Sequence, residues 1–284
     1  MRTALRNVAG VAGGVVVLGL MGPATATAAG AAGAGIMATG IVHVVHGIGG
    51  NVNTNQSSNW SGYNIGADYP QVSTGTTFTS VSGQWTVPAA TQRTAGQAED
   101  SASWVGIGGG CVNDGCTVTD NTLIQAGTEQ DVSATGQTSY DAWWEIIPET
   151  ETLTTLKVSP GNKIAVSIAE SSSTPGQWSI VIKNLTTHKS FSTTTPYTSS
   201  MDTVEWIEET PLEIGTTGSG IAAMPNLTTV HFLNAKYNGA AAGFQAVDEM
   251  QLDNNNMIEA TPSAPGAKMV AFNDCTWKTS CPAP

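Results

Sequence analysis

Charged residues are few in this sequence, and basic ones fewest: Lys and Arg number 10, and Asp and Glu 22, among 284 residues. The formal charge of −12 at pH 7 sets the chain against nucleic acid and anionic lipid, so neither is expected as a partner. With a sequence pI ≈ 4.5, self-repulsion fades near pH 4, which suits work in acid. Histidine is scarce too. Beyond residue 46 only His188 and His231 occur, one in a turn-like stretch and one in an alternating strand, and both read as structural. Several chemistries lack their signatures: there is no G-x-S-x-G elbow, no H-E-x-x-H, no P-loop, and no Asp-Thr-Gly or Asp-Ser-Gly tripeptide. No cofactor and no metal is expected.

Long apolar runs are missing except at the start. Arg2 and Arg6 precede "VAGVAGGVVVLGLM", and small-residue cleavage sites follow around Ala26 to Ala29. That order reads as a secretory signal peptide over residues 1–29, because the apolar run is shorter than the roughly 20 residues a membrane span needs. Its removal takes two arginines and leaves a charge of −14. Residues 30–56 are Gly-rich, with His43 and His46 as their only titratable side chains, and read as a leader or short propeptide. The folded domain is expected over 57–284.

Cysteine is limited to Cys111, Cys116, Cys275 and Cys281, with no C-x-x-C spacing. In a chain bound for an oxidising compartment this predicts disulfides rather than a metal site. Three connectivities are open, and the two local pairings, Cys111–Cys116 and Cys275–Cys281, are the expectation.

Helical apolar periodicity is also lacking. From Ser57 onward the chain is written in short alternating runs broken by Gly, Ser, Thr, Asn and Pro: "TSVSGQWTVP", "SASWVGIGG", "LIQAGTEQ", "YDAWWEIIP", "KIAVSIAE", "WSIVIKNLT", "TVEWIEE", "TTVHFLNAKY" and "KMVAFNDC". These read as strands of about 5 to 8 residues, and predict one all-β domain, a β-sandwich of two antiparallel sheets.

Against this background "TVEWIEETP" stands out, since it crowds Glu205, Glu208 and Glu209 around Trp206 with no base nearby. Strand alternation puts Glu205, Ile207 and Glu209 on one face and Val204, Trp206 and Glu208 on the other. The same counting groups Leu123, Gln125, Gly127 and Glu129; Asp141, Trp143, Glu145 and Ile147; and Ala102, Trp104, Gly106 and Gly108. Each face mixes acid, amide or Trp with small residues, where a core face would carry Val, Ile and Leu. Together they read as the floor of a solvent-filled groove. Carboxylates beside aromatic walls and far from bases are expected to hold their protons above the ordinary range, which suits acid–base chemistry at low pH. A plain solvated sheet face is the alternative reading of the same pattern.

The motifs "SNWSGY", "VSGQWTVP", "SWVGIGG", "LIQAGTEQ", "YDAWWEIIPE" and "VEWIEETP" occur in order, and in this the chain resembles the glutamic peptidases, or eqolisins, from about Ser57 to Pro211 and more loosely beyond. The resemblance implies a β-sandwich of two curved antiparallel sheets and a secreted acid endopeptidase, pepstatin-insensitive, monomeric and acting on polypeptides. It implies a Gln–Glu catalytic dyad at Gln125 and Glu209. It puts Gly62, Trp104, Gly127, Trp143 and Glu145 at substrate-contacting positions, Glu129 and Asp141 at acidic positions near the dyad, and Glu205 as an auxiliary neighbour. Departures are equally visible: Gly108 replaces an Asp, Ala102 a hydroxyl residue, Glu129 an Asp, and Glu208 an apolar residue. A glycoside hydrolase is the competing enzyme class, but Glu205 and Glu209 lie roughly 13 Å apart along a regular strand, too far for a carboxylate pair. A sugar-binding module using Trp104 and Trp143 is the third reading.

Overall fold

In the computed structural model, the described residues are 38–42, 56–215 and 218–284. They form β1 (Trp60–Gly66), β2 (Ser80–Thr86), β3 (Glu99–Gly108), β4 (Leu123–Val132), β5 (Thr138–Ile146), β6 (Lys163–Glu170), β7 (Gln177–Asn184) and β8 (Lys189–Pro196). These are followed by β9 (Thr203–Glu209), β10 (Leu212–Gly215), β11 (Gly218–Ile221), β12 (Val230–Tyr237), β13 (Glu249–Asn254), β14 (Met257–Pro262) and β15 (Phe272–Thr276), with several two-residue strands between. A single turn of 3₁₀ helix, Ala246–Asp248, is the helical element among the described residues.

The main strands hydrogen-bond in the order β8-β7-β6-β2-β12-β15-β14-β13-β1-β9-β3-β4-β5. A twisted sheet of this length curls upon itself. Its two halves pack face to face: Trp85 Nε1 on β2 donates to Thr128 Oγ1 on β4 at 2.9 Å, and Trp206 Nε1 on β9 donates to the Ser82 carbonyl at 2.9 Å. This is the all-β sandwich that the alternation predicts.

The two halves bury their strands differently. β2, β6 and β7 alternate, with Val81, Trp85, Ile164, Val166, Ile168, Trp178, Ile180 and Ile182 inward. Against them lie Tyr63, Ile65, Val105, Ile107, Ile124, Ala126, Val204 and Trp206 from the second half. Trp206 is fully buried, and Gly83 makes room for it: a Cβ there would lie 2.9 Å from Trp206 Cδ1 and from Val105 Cγ1. Burying each such side chain contributes on the order of 1.5–3 kcal/mol. β1, β3 and β9, by contrast, are buried along their whole length on both faces. A second cluster, Trp60, Ala102, Trp104, Leu123, Trp143, Ile207 and Met250, covers their other side.

Both expected disulfides form, Cys111–Cys116 and Cys275–Cys281. Alternation misses β1, β8, β10, β11, β13 and β14, and for two of these the reason is plain. β1, "WSGYNIG", has both faces covered and two glycines, so it shows no period. β8, "KSFSTTTP", is an edge strand of alternately half-buried and exposed hydroxyl residues. In the stretch expected to be a leader, Ala38–Val42 pairs antiparallel with β10. The signal-peptide segment, His43 and His46 lie outside the described residues. His188 sits in the β7–β8 turn with φ 56°, and on β12 the Nδ1 of His231 is 2.7 Å from Asn273 Oδ1 of β15. Asn184, in an N-x-T sequon, is fully buried with its amide donating to Lys157 O and Asn162 Oδ1, so the folded chain does not offer it for glycosylation.

Candidate active site

The strands β1, β9, β3, β4 and β5 are adjacent, and their registers line the sequence-predicted residues into cross-strand rows on one face. Asn64, Glu205, Gly106, Gln125 and Glu145 form the first row. Gly62, Ile207, Trp104, Gly127 and Trp143 form the second. Trp60, Glu209, Ala102, Glu129 and Asp141 form the third. Every candidate named from sequence therefore lies in one continuous patch. The rows exist because the ladders run without a bulge through all three, so alternate residues of five separate motifs meet on one side.

Glu209 is held from two directions. Trp104 Nε1 donates to its Oε2 at 2.8 Å, and Asn59 Nδ2 donates to its Oε1 at 3.3 Å. Asn59 is itself fixed by Ser57, and Trp60 stands edge-on to Trp104 at 4.9 Å between ring centroids. Sequence reading assigned no role to Asn59 or Trp60, although both stand in the "SNWSGY" motif. At the other corner Gln125 Nε2 donates to Glu145 Oε2 across 2.7 Å, a charge-assisted bond when Glu145 is ionised. Gln125, Glu209, Trp104 and Trp143 are all fully buried, Glu145 and Glu129 nearly so, and Asp141 is half-buried. The face is thus packed around its polar groups, where the sequence suggested a wide solvent-filled floor. Asp141 also faces Lys157, 3.9 Å away at the surface.

The glycines of the patch are spacers. A Cβ at Gly106 would meet Trp104 Cζ3 at 2.8 Å and Gln125 Cβ at 3.3 Å, and one at Gly127 would meet Trp104 Cβ at 2.6 Å. Gly62 has φ +139°, and a Cβ there would run into the Trp206 carbonyl of β9. Gly106 and Gly127 leave the room that Trp104 occupies.

Glu205 does not sit beside Glu209. Ile207 lies between them along an unbroken register, and Glu205 is fully buried in the row of Asn64 and Gly106. Burial raises its proton affinity well above that of an ordinary glutamate, Asp120 adds to the effect, and a Thr203 hydrogen bond opposes it. Asn64 donates to Tyr69 Oη at 2.8 Å and to the Cys111 carbonyl at 3.0 Å, tying this corner to the disulfide loop. On the opposite face of β9, Glu208 is also fully buried, so this strand carries three buried carboxyls with two directions of approach.

The class of protein is a glutamic-type peptidase, an all-β sandwich with this buried polar patch on one face. Residues 58–272 match the Peptidase A4 family, and the chain belongs to that family. It is 27% identical over 239 residues to Aspergillopepsin-2 of Aspergillus niger, covering 77% of this chain and 78% of that protein. Among solved structures, scytalido-glutamic peptidase with a transition state analog inhibitor aligns with a TM-score of 0.58 at 23% identity, over 77% of this chain and 98% of the other. SCP-B, a member of the eqolisin family in complex with the tripeptide Ala-Ile-His, aligns with a TM-score of 0.56 at 22% identity, over the same 77% and 98%. At these identities the structural matches speak to the fold.

Proposed function

We propose that this chain is a secreted acid endopeptidase in which Glu209 and Gln125 form the catalytic pair. In this reading the Glu209 carboxylate takes a proton from a water, which attacks the scissile carbonyl directly. The Gln125 amide donates an N–H to the developing oxyanion, a contribution typically worth about 10²–10³ in rate. Glu209, now protonated, returns its proton to the departing amine. Glutamine suits the task because its amide stays neutral, so acid never removes the donor.

The observation that carries the reading is the pair of clamps. Glu209 is held by Trp104 and Asn59, and the Gln125 amide is oriented by Glu145. On a flat sheet the Cα atoms of Gln125 and Glu209, two strands and four residues apart, would be separated by roughly 16 Å. Both side chains are long and stand on one face, and the reading requires them to reach toward a water and a carbonyl held between them. Secretion is supported by the two disulfides and by the N-terminal charge and apolar pattern.

The sugar-directed readings lose their support. The family matched is one of peptidases, and Ile207 separates Glu205 from Glu209, so β9 offers no glycosidase-type carboxylate pair. The test is digestion of a denatured protein substrate from pH 2 to 7 with pepstatin present, beside Glu209→Gln and Gln125→Ala. Acid-restricted, pepstatin-resistant cleavage that vanishes in both variants is the expected result. A fully active, folded Glu209→Gln protein would remove the pair from the mechanism.

A further inference from the structure

Glu208 has no part in the mechanism above, yet it adjoins Glu209 and points to the opposite side of β9. There the core face runs Val204, Trp206, Glu208, so a carboxyl stands where the pattern calls for an apolar side chain. It is fully buried. Ser103 Oγ lies 2.5 Å from its Oε2, and Gln130 Nε2 donates to its Oε1 at 3.1 Å and to Ser101 Oγ at 3.1 Å. Ser103 is its register partner on β3, and Gln130 faces Ser101 from β4. On the other flank its partner is Ser61 of β1, whose Oγ donates to Asp274 Oδ2 on β15 at 2.7 Å.

The groups facing Glu208 are therefore hydroxyls from β3 and β1, an amide from β4, and one acid, Asp274. Asp274 in turn is influenced by Glu249 of β13. Burial raises the proton affinity of Glu208 to a pKa of about 8, with Asp274 adding to the rise and the Ser103, Ser101 and Gln130 hydrogen bonds opposing it. Asp274 is raised to about 7, again chiefly by burial. In acid both are neutral, and the Glu208 carboxyl keeps its contacts with Ser103 Oγ at Oε2 and with the Gln130 amide, which donates to Oε1. Ionising both would place two like charges at the end of an apolar core, which costs several kcal/mol unless the strands shift or water enters.

The consequence for the site follows from adjacency. Ser103 and Trp104 are consecutive on β3, and Glu208 and Glu209 are consecutive on β9. The Ser103–Glu208 contact on one face and the Trp104–Glu209 bond on the other thus brace the same point of the same strand pair. We propose that protonated Glu208 is a positioning residue that holds the end of β9 in place for Glu209, and that its ionisation loosens this point of the strand pair as pH rises. This rests on the role proposed for Glu209.

Glu208→Gln tests the idea, since an amide donates to Ser103 and accepts from Gln130 at every pH. The melting temperature of Glu208→Gln should match wild type near pH 3–4 and exceed it increasingly up to pH 8. Glu208→Ala should lower kcat by roughly 10-fold or more with little change in KM, and Glu208→Gln should restore it. Parallel melting curves for wild type and Glu208→Gln across pH would overturn the proposal. So would loss of acid-pH turnover in a folded Glu208→Gln, or an unchanged kcat in Glu208→Ala. If Glu208→Ala does not fold, the Glu208→Gln comparison still decides. If wild type cleaves nothing at any pH, the reading of Glu209 fails, whereas the melting curves still report on Glu208.

Discussion

The indole N–H of Trp104 donates to Oε2 of Glu209 across 2.8 Å, from a ring that Gly106 and Gly127 leave room for. Register alone puts Trp104 opposite Ile207, one row from Glu209, and the long indole covers the difference. Trp104→Phe keeps the bulk and removes the donor. A hydrogen bond to a charged group is worth about 1.5–3 kcal/mol, so kcat/KM should fall roughly 10- to 100-fold, with the melting temperature shifting far less than in a core truncation. Steady-state kinetics on a peptide substrate checks this, and unchanged kcat/KM would mean the bond does not serve catalysis.

Gly127 is a packing constraint on the same ring. A methyl at this position meets Trp104 Cβ at 2.6 Å and crowds the Ser103 carbonyl. Gly127→Ala should destabilise by about 1–3 kcal/mol and displace Trp104. The expected signs are a melting temperature lower by roughly 2–12 °C and a turnover loss larger than unfolding explains. Thermal denaturation and kcat measured at the same pH separate the two.

Glu145 should matter through Gln125. Glu145→Ala removes the acceptor 2.7 Å from Gln125 Nε2 and lets the amide rotate. Turnover should drop roughly 10-fold or more, by the worth of a charged hydrogen bond. If Glu145→Ala leaves kcat intact, another group orients the amide.

The whole protein should be more stable in acid than at neutral pH. Burial raises Glu205, Glu208, Asp274 and Asp248 above their ordinary values, the last to about 7 despite bonds from Gln71 and Gln245. The unfolded chain releases these protons near pH 4, while in the folded chain Asp248 and Asp274 keep theirs to about pH 7 and Glu208 to about pH 8, and burial holds the Glu205 proton well above the ordinary range. Stability is therefore fully present below about pH 4 and lost as pH rises through the folded values, each tenfold strengthening of proton binding on folding weighing about 1.4 kcal/mol. Calorimetric melting temperatures taken from pH 3 to 8 should decline steadily above pH 4. A maximum near pH 7 would contradict the assignment.

Which residues share a face was legible before any coordinates. Gln125, Gly127 and Glu129 fall on one side of their strand by a period of two, as do Glu205 and Glu209, and the short-range cysteine pairs close small loops. These are local properties: alternation follows from the pleat, and a loop of a few residues leaves two cysteines little choice. What local pattern could not carry is register between strands distant in sequence. Only the assembled sheet sets Glu209 level with Ala102 and Glu129, brings Asn59 to its carboxylate, and sets Ile207 between Glu205 and Glu209. Burial on both faces likewise erased the alternation of β1 and hid it from the sequence. The same three-dimensional enclosure makes Glu208 a neutral, hydrogen-bonded brace instead of a surface charge, because solvation is decided by what packs around a carboxyl and not by its neighbours in the chain.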